Sequence, residues 1–163
     1  MPLRGVCIAC VLFFASAAAG ANACEMAEFK GLDSLRLHRP VPGALISGFG
    51  MRQHPILQIQ RFHYGLDFAA PQGEPVQAAA KGRVSFADRK GEYGNFVMLD
   101  HGGGLTTAYA HLSRIEVREG NCIERGAIIG LTGSTGLSAG PQVHFEVLVA
   151  GKHVDPAPVI ADK

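Results

Sequence analysis

The chain has 163 residues, a hydrophobic share of 47%, and 15 basic against 14 acidic side chains. Near-balanced charge without a polybasic run leaves no electrostatic footprint for nucleic acid and no support for strong adhesion to anionic lipid. A length and apolar share of this size suit one domain with its own core.

The first segment stands apart. Arg4 supplies one positive charge, residues 6–19 are apolar, and Ala21-Asn22-Ala23 offers an A-x-A cleavage site. That order predicts a secretory signal over residues 1–23, with the mature chain starting at Cys24 and exported to the periplasm or beyond. The apolar run falls short of the about 20 residues a spanning helix needs, so a retained membrane anchor is the weaker alternative. A lipidated Cys24 is another, although Ala21 is not the large apolar residue usual three positions before such a cysteine. Cys7 and Cys10 leave with the signal. Cys24 and Cys122 then meet an oxidising compartment, where a disulfide between them is the expectation and two unpaired thiols the alternative.

Residues 24–41 mix Glu28, Lys30, Asp33 and Arg36 with scattered leucines and read as a lead-in arm with room for a short helix. From residue 42 to 163 the character changes. Short runs of Val, Ile, Phe and Leu are bounded by Gly, Pro, Asn or Asp, which predicts many short strands. The expected strands are 45–49, 65–69, 76–79, 83–86, 95–99, 105–111, 128–131 and 143–149. No amphipathic helical stretch of useful length follows residue 40, so the fold class is all-β.

Seven histidines need context before any counts as functional. His38, His101 and His153 have none and read as structural. His63 is followed four residues later by Asp67, across Gly65. Residues four apart in a straight strand are separated by ~13 Å, so the chain must curl there if both are to bind one metal. On spacing alone, an exposed His and a turn-forming Asp is the better reading of this pair. In the run Gln142-Val143-His144-Phe145-Glu146, period-2 alternation puts Val143 and Phe145 on a core face. Gln142, His144 and Glu146 fall on the other. Three protein ligands with one open position is the pattern of a catalytic zinc site, and the cysteines are too few for a thiolate one.

Five segments extend this reading. They are Gly48-Phe49-Gly50-Met51-Arg52-Gln53-His54-Pro55, then His63-Tyr64-Gly65-Leu66-Asp67-Phe68-Ala69-Ala70-Pro71, then Tyr109-Ala110-His111-Leu112-Ser113, Gly133-Ser134-Thr135-Gly136 and Val143-His144-Phe145-Glu146. In this order they resemble the lysostaphin/LytM-type zinc metallopeptidases, which cleave peptide cross-links of bacterial peptidoglycan. The resemblance implies a small antiparallel β-sandwich of the duplicated-hybrid-motif type, with a groove for an extended peptide. It implies zinc ligands at His63, Asp67 and His144, and a catalytic histidine at His111 that assists the attacking water or steadies the transition-state oxygen. The implied substrate is the stem peptides or cross-links of peptidoglycan. One position departs from the pattern: the family's strand reads His-x-His, and its first His is replaced here by Gln142. A glutamine amide donates and accepts hydrogen bonds but takes up no proton near neutral pH. The expectation is therefore a zinc endopeptidase that works slowly. The alternative is a non-hydrolytic peptidoglycan-binding protein that activates another hydrolase.

Overall fold

A computed structural model of the chain describes residues 24, 26 and 28–161. The expected signal over residues 1–23 lies outside the described residues. Among the described residues the strands, in chain order, are β1 (Leu45–Ser47), β2 (Gly50–Gln53), β3 (Gln60–His63), β4 (Leu66–Ala69), β5 (Pro75–Gln77), β6 (Gly82–Arg89), β7 (Asn95–Asp100), β8 (Leu105–Leu112), β9 (Arg114–Ile115), β10 (Cys122–Ile123), β11 (Ile128–Leu131), β12 (Gln142–Val149) and β13 (Lys152–Val154). Helical structure among them is confined to single 3₁₀ turns, one of them Leu32–Ser34 in the arm. No helix there is long and apolar enough to cross a membrane.

The fold is all-β, and every strand pairing is antiparallel. The main sheet runs β1-β4-β12-β8-β7-β6-β10, with β13 hairpinned onto β12. A second sheet, β5-β11-β9, shares its core, and β2-β3 forms a separate two-stranded ribbon. Alternation decides which face packs. Val143, Phe145 and Val147 of β12 join Leu66 and Phe68 of β4, Val97 and Leu99 of β7, and Val76 and Ile129 of the second sheet in one core. Tyr109 is fully buried there, and its hydroxyl accepts the Ala79 N–H at 2.8 Å, so the one polar group it brings in is satisfied.

The arm does not stay outside this core. Leu37 and Val41 are buried, and the Leu37 backbone pairs with the C-terminal segment through Leu37 N–H to Val159 C=O and Ala161 N–H to Leu37 C=O. Of the two mature cysteines, Cys24 hydrogen-bonds the Gly82 carbonyl at 3.3 Å. Burial and the neighbouring Cys122 push the Cys24 thiol up, and both cysteines are free thiols rather than the expected disulfide.

The other face of the main sheet carries the chemistry. The residues alternating with the core set on β12 are His144 and Glu146, and β4 contributes Asp67 directly opposite His144 in the ladder. Across the other edge of β12, Ala110 pairs with His144, and His111 comes next in the chain.

Candidate metal centre

His63, Asp67 and His144 meet at one point. His63 Nε2 lies 3.1 Å from Asp67 Oδ1 and 3.0 Å from His144 Nδ1, and His144 Nδ1 lies 2.8 Å from Asp67 Oδ1. Asp67 and His144 arrive as cross-strand neighbours on β4 and β12. His63 ends β3, and the bend at Tyr64-Gly65 folds it back over β4. Gly65 is needed there for space: a Cβ would run into the Phe145 carbonyl oxygen. The four-residue separation that a straight strand could not bridge is closed because β3 and β4 belong to different sheets.

The donor set fits a zinc ion. His63 Nδ1–H donates to the Gly48 carbonyl at 2.7 Å, which leaves the lone pair on Nε2. His144 Nε2–H donates to Glu146 Oε1 at 3.0 Å, which leaves the lone pair on Nδ1. Tetrahedral zinc ligands at about 2.0–2.1 Å from the metal stand about 3.3 Å from one another, close to the spacing here. Three acceptor atoms held this near each other repel unless a cation or a proton sits among them. All three residues are buried.

The metal-free electrostatics follow from that crowding. Burial alone would lower His144, but hydrogen bonds to Asp67 and Glu146 overcome it and raise the imidazole to about 9. Burial would raise Asp67, yet its bonds to His144 and His63 hold the carboxyl far below its ordinary range. Arg52 Nη2 reaches the outer oxygen, Asp67 Oδ2, at 3.3 Å and holds the carboxylate in place.

His111 stands beside this group, its ring centroid 6.0 Å from that of His144. Its backbone adopts the left-handed region, φ 62°, which is rare outside glycine and is tolerated where the surroundings fix it. The ring Nδ1–H donates to the Thr135 carbonyl at 2.8 Å, so Nε2 carries the lone pair. Burial lowers the imidazole, which is neutral at pH 7. Gln142 lies on the same wall at the start of β12. Both border a cavity of about 480 Å³ that also holds the metal triad and is flanked by Arg61, Tyr64, Tyr93 and Leu137.

Three further residues belong to this site and were not assigned from sequence. Glu146 sits under His144, and Tyr93 and His153 bond to Glu146. The alternation on β12 gave the face of Glu146; nothing local indicated Tyr93 or His153. His101, by contrast, bonds Thr107 Oγ1 and the Lys81 carbonyl away from the groove, as a structural residue does.

A family model of peptidase family M23 matches residues 61–156, which span His63, Asp67, His111 and His144. The chain belongs to that family. The DD-carboxypeptidase/endopeptidase Mpg of Neisseria meningitidis is 51% identical over 113 residues, covering 69% of this chain and 26% of Mpg. A zinc-containing peptidase from Vibrio cholerae superposes with a TM-score of 0.67 at 38% identity, over 76% of this chain and 39% of that one. The catalytic domain of lysostaphin from Staphylococcus simulans gives 0.63 at 34% identity, over 69% of this chain and 87% of that domain. The chain spans about a quarter of the length of the curated relative it matches.

Proposed function

We propose that this protein is an exported, zinc-dependent endopeptidase acting on the peptide cross-links or stem peptides of bacterial peptidoglycan. The observation that carries the reading is the convergence of His63 Nε2, Asp67 Oδ1 and His144 Nδ1 within 3.1 Å at the floor of an open groove. A protein that only binds the wall has no use for a complete ligand set. When bound, zinc supplies a Lewis acid that polarises a carbonyl and makes water a better nucleophile near neutral pH.

The chain's own residues do the rest. His111, neutral with its Nε2 lone pair free, accepts the proton of the attacking water and returns it to the leaving amine. Gln142 orients through its amide and moves no proton. Tyr64, Arg61 and Leu137 line the walls along which an extended peptide lies. A second positioned base is worth on the order of 10²–10⁴ in rate, so a site with one works slowly. In an oxidising compartment Cys24 and Cys122, free thiols here, are expected to pair as a disulfide.

The test compares muropeptide release from isolated sacculi by the wild type and by Gln142→His at matched zinc occupancy. Slow release by the wild type, accelerated tenfold or more by Gln142→His, is expected. If both are inert, the wall-binding activator is the function instead.

A further inference from the structure

The ligand set leaves the surroundings of Glu146 unexplained. Its carboxylate is 3% exposed and yet accepts three hydrogen bonds. Tyr93 O–H donates to Oε1 at 2.9 Å, His144 Nε2–H to the same oxygen at 3.0 Å, and His153 Nε2–H to Oε2 at 3.1 Å. One donor is local to β12, one comes from the adjacent hairpin strand β13, and one comes from the distant turn Gly91–Tyr93.

Both outer members lead back to the segment bearing the other histidine ligand. Next to Tyr93, Glu92 pairs with Arg61 Nη2 at 2.6 Å, and Arg61 lies two residues before His63 on β3. The His153 ring lies against Tyr64, the residue after His63, with centroids 4.7 Å apart. Tyr93 also packs on the His144 ring at 5.8 Å between centroids. The contacts therefore form a closed loop from His144 through Glu146 to the strand that ends in His63.

We propose that Glu146, held by Tyr93 and His153, is the positioning residue that makes His144 a metal ligand; this rests on the zinc site described above. A neutral imidazole has one N–H and one lone pair, and without a partner either nitrogen can carry the proton. A buried acceptor beneath Nε2 fixes the proton there and points the Nδ1 lone pair at Asp67 and His63. A carboxylate in that place also makes the ligating nitrogen a stronger donor. Tyr93 and His153 keep the carboxylate from turning away, so their effect on the metal is indirect and smaller.

The experiment measures zinc affinity by chelator competition in purified protein, beside the thermal midpoint of the metal-free form and the visible spectrum of the cobalt(II) form. Glu146→Gln keeps the shape and an acceptor oxygen but loses the charge. It is expected to weaken zinc about 10- to 100-fold, the range found for partners of metal-bound histidines. Its ligand-field bands should shift at saturating cobalt. Tyr93→Phe loses only the hydroxyl, and His153→Phe replaces the imidazole with an aromatic ring that cannot donate; each should weaken zinc by a smaller factor, with the metal-free midpoint nearly unchanged. Should Glu146→Gln fail to fold, those two variants decide. Zinc affinities within twofold of wild type in all folded variants would overturn the assignment. Hydrolysis is not read, so inactive wild type that binds zinc leaves the inference standing and removes only the peptidase reading.

Discussion

Removing zinc and titrating the protein acts most strongly on His144. In the metal-free form its imidazolium lies between the Asp67 and Glu146 carboxylates, which outweigh burial and raise it from 6.5 to about 9. The folded value lies above the unfolded one, so this proton stabilises the metal-free fold fully below about pH 6.5 and ceases to as pH rises through 9. The gap, at about 1.4 kcal/mol per pH unit, corresponds to roughly 3 kcal/mol. Asp67 is displaced the opposite way, so its side of the same ion pair is present above about pH 4 and lost only on acidification. Metal-free stability should therefore fall by roughly 3 kcal/mol between pH 6.5 and pH 10. Zinc runs in the other direction. The Nδ1 proton must leave before the nitrogen can ligate, so apparent zinc affinity should rise about tenfold per pH unit from pH 7 to 8.5 and level off above 9. Urea unfolding in chelator gives the first quantity, and chelator competition the second. A zinc affinity flat from pH 7 to 8.5, with metal-free stability that does not decline above pH 7, would refute the shared proton.

The remaining predictions concern the ligands, the cysteines and one glycine. His63→Ala, Asp67→Ala and His144→Ala should each leave purified protein with far less than one zinc by metal analysis, whereas His101→Ala keeps full occupancy. Protein recovered from an oxidising compartment should begin at Cys24 and show no free thiol when denatured. Reducing that bridge should cost roughly 2–4 kcal/mol in urea unfolding, and two thiols titrating without reductant would contradict it. Gly65→Ala should destabilise the fold and weaken zinc together, because the added Cβ meets the Phe145 backbone beside His144; unchanged stability would show that β3 and β4 can separate freely.

The readable parts of this protein were those governed by period-2 alternation. Val143, Phe145 and Val147 announced the buried face of β12, and with it the opposite face of His144 and Glu146. Strands β4, β7, β8, β11 and β12 lie within a residue or two of their expected places because short apolar runs bounded by turn residues mark them. The ribbon β2-β3 was not legible: Gly50–Gln53 and Gln60–His63 are polar and largely solvated, so no apolar period marks them. Strands β9 and β10 are only two residues long. Residues 24–41 read as a lead-in arm, and the burial of Leu37 and Val41 was not legible because so few apolar residues carry no clear periodicity. The triad could be read as three separate residues, with its closure visible only in the register that sets Asp67 against His144. Tyr93 and His153 were out of reach: their partner lies 53 and 7 residues away, and only sheet pairing brings them to it.

We propose that this groove hydrolyses peptide bonds of peptidoglycan with a metal held by His63, Asp67 and His144. Mass analysis of the soluble products from purified sacculi treated with the zinc-loaded wild type tests it most directly. Fragments with newly formed peptide amino and carboxyl termini are expected, lost on chelation, restored by zinc and absent with Asp67→Ala. Sacculi left intact by fully zinc-loaded wild type, or release that persists in Asp67→Ala, would contradict it.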